Sequence, residues 1–321
     1  MTERLTDFLL RSDDLLELDE DIQWIVEGII SEKALTLFFG RGGVGKTWAA
    51  LQIGRAVAEG NPIWGLATKQ MPAVYIDIEN PIPVLKGRLE KIGTSPNLYI
   101  WHLGNEHVKP PRLDDNMKLT TGPLKGQLKW ELYRMLPNGL LIFDTLRASH
   151  KGDENSSKDM SLVMGRLKEL RENGFTILLL HHTSKGDEGR YKGSTAISDL
   201  CDHAICLEQV REETLGLEGE DFRLGTKDKT RFVPSKIYLT FNDGGFVRAV
   251  DPVMSLCGEL KALVSQMPES ERYQGAIIKK ADEERGWERK RTRKVLDAGE
   301  GVHWYRPAEK GKYGRVHYIL R

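Results

Sequence analysis

Short apolar runs alternate with helical patterns over much of the chain. Runs typical of buried strands cover residues 34–39, 73–78, 98–102, 140–143 and 176–180, and most are too uniformly apolar for half-exposed strands. Between them, stretches such as TWAALQIGRAVAEG and MSLVMGRLKELRENG place apolar residues at helical spacing. Buried strands separated by helices predict a doubly wound α/β fold whose central sheet is mainly parallel and covered on both faces.

The pattern changes after a further apolar run at residues 204–207. The segments FRLGTKDKTR, KIYLTFNDGG and FVRAVD resemble antiparallel strands, and Asp243-Gly244-Gly245 predicts a hairpin turn between two of them. The sheet is therefore expected to be mixed, with antiparallel strands added after the parallel ones.

Asp251-Pro252 marks the start of a smaller C-terminal unit. Helical patterns follow at residues 254–266, 274–284 and 287–298, and a two-strand hairpin comes after them. Three helices and a β-hairpin predict a small winged-helix domain. We therefore expect an N-terminal arm at residues 1–20, an α/β domain at 21–252 and a winged-helix domain at 253–321.

Composition limits the class of protein and its location. The chain has 321 residues, of which 40% are hydrophobic and 29% charged, as in globular proteins. No apolar run approaches the ~18 residues of a membrane span, and the acidic N-terminus lacks a basic start and a cleavage site. We expect a cytoplasmic protein with no membrane partner. The three cysteines match neither a disulfide framework nor a CxxC metal site and are interpreted as core thiols.

Charge is uneven along the chain, although the formal net charge is +0. Residues 272–321 hold 14 Lys and Arg against 7 Asp and Glu, which leaves 33 basic and 40 acidic residues in the rest. The C-terminal unit is therefore basic, and the remainder is mildly acidic.

A glycine-rich loop joins the first of these apolar runs to a helix. Its sequence, GRGGVGKT, matches GxxxxGK[ST] in the strand, loop and helix context that a phosphate-binding P-loop needs. Glycines let backbone N–H groups approach phosphate oxygens, Lys46 can reach the β- and γ-phosphates of ATP, and Thr47 can ligate Mg²⁺. We expect ATP to be bound by Gly40, Arg41, Gly42, Gly43, Val44, Gly45, Lys46, Thr47 and Trp48. A glycine-rich turn with an incidental lysine is the alternative.

Carboxylates end two other apolar strands. Asp144 ends LLIFD, where it could share the metal with Thr47, although a helix-capping aspartate would have the same pattern. Glu79 follows the strand VYIDI and is the first candidate for the general base that activates water. Asp77, two residues earlier on the same strand face, is the second candidate.

Together these motifs resemble the RepA-like branch of the RecA-fold ATPases, which includes hexameric plasmid-replication helicases. The likeness covers residues 24–251 and is carried by WIVEGII, the P-loop, YIDIEN, IFDTL followed by GDENSS, and LLLHHTSK followed by RYKGSTAISD. It implies a RecA-like ATPase domain at residues 21–252, Glu79 as the catalytic base, and a histidine that senses the γ-phosphate. That histidine would be His182 or His181, of which strand alternation lets only one face the nucleotide. A hydrogen-bonded structural pair is the alternative.

RecA-type rings place ATP between subunits, and the neighbouring subunit supplies cations to the γ-phosphate. The resemblance assigns this role to Lys229 and Arg231, which join Lys46, Glu79 and His182 in the predicted catalytic set. An arginine supplied in trans would make assembly necessary for turnover. A charged edge strand kept soluble by its lysines is the alternative.

The resemblance also places two loops in the ring channel, where single-stranded DNA would pass: residues 147–159 and 185–194. The second loop carries Lys185, Arg190 and Lys192 among glycines, which suits phosphate contacts, although such a loop is often only solvated surface. The first loop is less basic, and its GDENSS is expected to cap the following helix.

The last predicted helix, residues 287–298, has one cationic face, and Thr292, Val295 and Leu296 turn inward from the other. This helix and the hairpin tip would supply contacts to duplex DNA from Arg289, Lys290, Arg293, Lys294 and Lys312. Winged helices also dock proteins, which is the alternative.

We therefore predict an ATP-driven, hexameric DNA helicase or translocase that uses MgATP at subunit interfaces and serves replication of a plasmid, phage or other mobile element. The N-terminal arm would either exchange onto a neighbouring subunit or pack on its own chain. The alternatives are an ATP-regulated DNA-binding regulator or loader without motor activity, and a recombinase-like filament.

Overall fold

The computed structural model of the protein describes residues 9–122, 125–184, 187–307 and 316–321, so the predicted DNA contacts Lys185 and Lys312 lie outside the described residues. The strands are β1 (Trp24–Val26), β2 (Ile30–Ser31), β3 (Leu35–Gly40), β4 (Ala73–Asp77), β5 (Leu98–His102), β6 (Leu140–Asp144), β7 (Thr176–Ser184), β8 (Asp187–Tyr191), β9 (His203–Glu212), β10 (Leu217–Thr230), β11 (Lys236–Asn242), β12 (Gly245–Ala249), β13 (Trp304–Tyr305) and β14 (Ile319–Leu320). The helices are α1 (Ser12–Leu16), α2 (Lys46–Glu59), α3 (Ile82–Ile92), α4 (Ser157–Glu172), α5 (Ala196–Asp199), α6 (Pro252–Ser265), α7 (Gln274–Arg285) and α8 (Arg289–Ala298).

A ten-stranded sheet forms the centre of the α/β part of the chain. Six strands run parallel in the spatial order β5-β4-β6-β7-β3-β9. Beyond β9 the sheet continues through β10, β11 and β12 in antiparallel pairing, and β8 folds back antiparallel on β7. The predicted α/β class, with a mainly parallel sheet that ends as a mixed one, is confirmed.

Two apolar layers cover the sheet, one on each face. Phe38 packs in the layer beneath α2, whereas its neighbours Leu37 and Phe39 pack in the layer beneath α4. All residues of β3, β4 and β6 are buried, which explains why their sequences show no alternation of apolar and polar positions.

The carboxyl ends of the parallel strands meet at one edge of the sheet. Gly40 at the end of β3 lies opposite His182 of β7, and Asp77 at the end of β4 lies opposite Asp144 of β6. The motif residues, which are far apart in sequence, are thereby gathered along a single edge.

The antiparallel part is tied back to the helix that follows the P-loop. The hairpin between β11 and β12 turns at Asp243 and Gly244, as predicted, with Asn242 paired to Gly245. Gln52 of α2 donates from Nε2 to the carbonyl of Phe246 at 3.0 Å and accepts from its N–H at 2.8 Å. These paired hydrogen bonds hold β12 against α2.

The C-terminal unit has its own apolar core. Helices α6, α7 and α8 contribute Leu260, Ile277 and Val295 to it, and Trp304 of β13 lies fully buried among them. Leu215, in the connection between β9 and β10, packs into the same core, so the unit rests on the central sheet. The predicted inward residues of α8, Thr292, Val295 and Leu296, are buried. Among the described residues, no helix is long and apolar enough to cross a membrane.

Candidate nucleotide site

The loop between β3 and α2 has the backbone shape that its glycines predict. Gly43 and Gly45 adopt φ angles of 78° and 101°, a region that L-residues with side chains rarely occupy. A Cβ on Gly45 would lie 2.7 Å from the ring of Phe246, whereas a Cβ on Gly42 or Gly43 would meet nothing within 4 Å. Phe246 therefore packs against the loop at Gly45, whereas the loop is open at Gly42 and Gly43, where a phosphate would enter.

Lys46 folds back over this loop. Its Nζ donates to the carbonyls of Gly40 at 2.8 Å and Arg41 at 3.0 Å, and lies 3.4 Å from Nδ1 of His182. Burial lowers the pKa of Lys46 to about 8, although the charges of Asp144 and Glu79 act to raise it. Burial therefore disfavours the ammonium, which would gain from an anion at this position.

Asp144 lies at the centre of a hydrogen-bonded group. Its Oδ2 accepts from Thr47 Oγ1 at 2.8 Å and from the Tyr75 hydroxyl at 2.5 Å. Burial raises the pKa of Asp144, and these two hydrogen bonds act to lower it. The hydroxyl of Thr47 beside a buried carboxylate is a set of oxygen ligands that suits Mg²⁺.

The two candidate bases have different surroundings. Asp77 is fully buried, and its Oδ1 accepts from the backbone N–H groups of Glu79 at 3.0 Å and Asn80 at 2.9 Å. Asp77 therefore shapes the turn after β4. Glu79 is exposed at the edge of the site, where its Oε2 accepts from Thr145 Oγ1 at 3.1 Å. Of the two, only Glu79 has a carboxylate facing the solvent side of the site.

The two histidines face opposite sides of β7. His182 pairs with Gly40 in the sheet and lies beside Lys46, and burial lowers its pKa. His181 is fully buried, and its Nε2 lies 2.6 Å from the carbonyl of Lys192. Burial lowers the pKa of His181 to about 4, so the ring is neutral at pH 7. His182 is thus the member of the pair that borders the P-loop.

Lys229 and Arg231 do not lie near the P-loop of their own chain. Lys229 Nζ donates to the carbonyls of Ser198 at 2.8 Å and Asp199 at 2.7 Å. Arg231 Nε is 3.4 Å from Asp202, and its side chain is 63% exposed. Thr230, between them, pairs with His203, which pairs with Thr36 near the start of β3. Thr36 lies about 13 Å along β3 from Gly40, at the other end of the strand from the P-loop.

Trp48 and the exposed side of the loop complete the surroundings. The Trp48 ring packs edge-on against Phe241 at 5.5 Å, with the Arg88 guanidinium 5.8 Å from its centroid. Arg41 and Val44 border a cavity of about 260 Å³ whose far wall includes Glu208. Trp48 therefore packs against protein side chains, and Arg41 and Val44 form part of the cavity wall.

The predicted DNA contacts fall into two groups. Arg190 on β8 is exposed, whereas Lys192 Nζ lies 3.0 Å from the buried carboxylate of Glu154. On α8, the exposed cations are Arg289, Lys290, Arg293 and Lys294. Lys294 pairs with Glu212 at 2.8 Å. In the loop between β6 and α4, Ser156 accepts from the backbone N–H of Asp159 at 3.2 Å, which confirms the predicted cap of α4.

Sequence reasoning missed Tyr75 and Phe246. Tyr75 precedes Asp77 by two residues on the same strand face, and its hydroxyl in an otherwise apolar strand needed a partner. That partner is Asp144. Phe246 gives no local signal, because its contact with Gly45 depends on where β12 lies.

Comparisons with known proteins identify a matching family and structures of similar fold. A family model described as an AAA domain matches residues 2–188. Among solved structures, a KaiC-like protein from the hyperthermophilic archaeon Pyrococcus horikoshii OT3 is 18% identical, with 70% of this chain and 94% of that chain covered and a TM-score of 0.49. The ATPase domain of G40P is 13% identical, with 74% and 95% covered and a TM-score of 0.49.

A DnaB-like replicative helicase, solved in a study of its interactions with primase, is 13% identical to this chain. The match covers 74% of this chain and 66% of that chain, with a TM-score of 0.50. At this identity the likeness concerns the fold alone, which is that of RecA-like P-loop ATPases.

Proposed function

Because the chain belongs to the AAA domain family, we propose that it hydrolyses MgATP to move along or unwind DNA as a hexameric helicase or translocase. The resemblance of its motifs to plasmid-replication helicases favours a role in copying a plasmid, phage or other mobile element. A replicative helicase among proteins of the same fold is consistent with this function.

One observation carries the proposal: five side chains with the chemistry of ATP hydrolysis converge beside an open glycine loop. They are Lys46, Thr47, Asp144, Glu79 and His182. Lys46 would bind the β- and γ-phosphates, and Glu79 would accept a proton from the attacking water. His182, beside Lys46, would respond to the presence of the γ-phosphate. Thr47 and Asp144 would hold Mg²⁺, which neutralises charge on the phosphate oxygens when bound.

The position of Arg231 supports assembly. Its guanidinium is largely exposed and lies toward the other end of the strands from the P-loop. A second copy could therefore present Arg231, and Lys229 near the end of β10, to a neighbour's nucleotide. An arginine supplied in this way stabilises charge on the transferring phosphoryl group.

DNA would meet the protein at two places. Arg190, on β8, which folds back on β7, would contact single-stranded DNA in the channel. The C-terminal residues 253–321 would act as a winged helix, with α8 toward duplex DNA, beside an ATPase domain at 21–252 and an arm at 1–20. The exposed cations of α8 and the order of its neighbouring elements support this division.

The test measures ATPase activity with and without single-stranded DNA, and strand displacement from a forked duplex. We expect stimulation by single-stranded DNA and displacement that requires ATP. Glu79→Gln should lower the ATPase rate by ~10²-fold or more, with ATP binding retained, because the amide cannot accept the proton of water. Glu90→Gln, at an exposed position on α3, is the matched control. Full activity of Glu79→Gln would exclude Glu79 as the base.

A non-motor regulator or loader is the second candidate, and the cationic face of α8 is the observation that favours it. Robust ATPase and duplex binding without any displacement or translocation would support that candidate. Helical assemblies on DNA with strand-pairing activity would instead support a recombinase-like filament.

A further inference from the structure

Lys192 is bonded through its main chain to both histidines of β7. Its N–H donates to the carbonyl of His182 at 2.9 Å. Its own carbonyl accepts from Nε2 of His181 at 2.6 Å. Any displacement of Lys192 would therefore be transmitted to the strand end that carries His182.

The side chain of Lys192 is fixed in turn by Glu154, in the loop before α4. The Lys192 ammonium lies 3.0 Å from Glu154 Oε2, and the glutamate side chain is only 4% exposed. A carboxylate buried to this extent needs a charged or hydrogen-bonded partner. Among the described residues, Lys192 is the cation that forms an ion pair with Glu154.

The backbone on either side of this ion pair is closely fitted. The N–H of Ser194 donates to the carbonyl of Glu154 at 2.8 Å. Gly193 adopts a φ of 99°, and a Cβ there would lie 2.7 Å from the same carbonyl. The loop before α4 and the segment after β8 are thus joined by an ion pair, a hydrogen bond and a contact that only glycine permits.

We propose that Glu154, Lys192 and His181 are positioning residues for ATP hydrolysis, which hold His182 at its place beside Lys46. The connection runs from Glu154 to Lys192, from Lys192 to the two histidines, and from His182 Nδ1 to Lys46 Nζ at 3.4 Å. The inference rests on the proposed ATPase function and on His182 as the group next to the γ-phosphate.

The part played by His181 depends on a hydrogen on its Nε2. Since its Nε2 faces a carbonyl, that nitrogen must carry the hydrogen and donate. A glutamine side chain ends in an N–H₂ group that can donate in the same way, whereas leucine cannot. His181→Gln should therefore preserve the link to Lys192, and His181→Leu should break it.

The first experiment compares Lys192→Met with Lys192→Arg in ATPase assays without DNA. Lys192→Met should lower kcat by ~10-fold or more, because a small misplacement of a catalytic group is costly. The KM for ATP and the affinity for a non-hydrolysable ATP analogue, adenylyl imidodiphosphate, should change by less than about threefold. Lys192→Arg should restore most of kcat, because it keeps the charge that Glu154 needs. Lys168→Met removes an exposed cation from the C-terminal half of α4 and should leave kcat unchanged.

The second experiment combines Lys192→Met with Glu154→Gln. If both residues act through one contact, the double variant should be no slower than the slower single variant. His181→Gln should keep kcat within about threefold of the wild type, and His181→Leu should resemble Lys192→Met.

A wild-type kcat for Lys192→Met, additive losses in the double variant, or a loss of analogue binding as large as the loss of kcat would overturn the proposal. A purified wild-type protein that binds the analogue but hydrolyses no ATP, with or without DNA, would instead refute the proposed function.

Discussion

Lys46 is the residue whose ionisation most directly affects phosphate binding. It lies among backbone carbonyls, and burial brings its pKa down to about 8. Phosphate oxygens would stabilise the ammonium, so bound ATP should raise this pKa again. The free and bound forms of the protein therefore hold different numbers of protons above pH 8.

Binding of ATP should take up a proton at pH 8.5 to 9, and the affinity should fall as pH rises. The sign follows because the free protein loses the Lys46 proton at about pH 8, whereas the bound protein retains it. The affinity should decline by up to about tenfold per pH unit above 8. Calorimetric titration in two buffers of different ionisation enthalpy measures the proton directly. Equal heats in both buffers at pH 9 would contradict this account, and Lys69→Met, at an exposed site, is the control.

Single residues were predictable where the chemistry depends on sequence neighbours. The P-loop and the carboxylates at strand ends are of this kind, and Glu79 and Asp144 lie at the same edge as Lys46. Tyr75 and Phe246 were not predictable, because their partners Asp144 and Gln52 are 69 and 194 positions away in sequence. The choice between His181 and His182 also needed the sheet register, which sequence alternation alone leaves open.

At the scale of elements, the existence of strands was predictable and their ends were not. The apolar run 204–207 became β9, which extends to Glu212 because β10 supplies hydrogen-bonding partners for its polar end. β7 continues to Ser184 for the same reason, since β8 pairs with it. Between β5 and β6, where a helix was expected, the described residues form only a short 3₁₀ helix, Lys129–Met135, and Leu113 and Tyr133 pack into the apolar layer beneath α4.

The helix α8 makes a prediction that can be tested without disturbing its core. Arg289→Gln combined with Arg293→Gln should weaken duplex DNA binding by ~10-fold and lower the slope of log affinity against log salt by ~2. Both side chains are exposed, whereas Val295 and Leu296 hold the helix in place. Fluorescence anisotropy at several salt concentrations provides the measurement.

The matched control for α8 is Lys279→Gln with Lys280→Gln on α7, where both lysines pair with glutamates one turn later. Equal losses for the two double variants would indicate a general charge effect. No loss for the α8 variant would favour protein docking. Point variants are preferable to deletion, since Leu215, between β9 and β10, packs into the core of this unit.

At the scale of the whole molecule, the P-loop and Arg231 are separated along the strands of one sheet. Mixing subunits that carry Lys46→Ala with subunits that carry Arg231→Ala should restore ATPase activity, because some interfaces then combine an intact P-loop with an intact arginine. Random mixing at equal amounts makes about a quarter of the interfaces complete. The measurement is ATPase rate against mixing ratio.

Mixing Lys46→Ala with Glu79→Gln is the control for that experiment. Both changes affect the same side of an interface, so no combination of subunits yields a complete site, and no activity should return. Rescue in this control, or its absence with Arg231→Ala at every ratio, would rule out an arginine supplied in trans.

The separation of Arg231 from the P-loop has a practical consequence for handling the protein. Under the proposed assembly, a monomer has the residues that bind ATP but lacks the neighbour's Arg231, which hydrolysis requires. A dilute, monomeric preparation would then bind ATP without hydrolysing it. A concentrated, assembled preparation would also hydrolyse it.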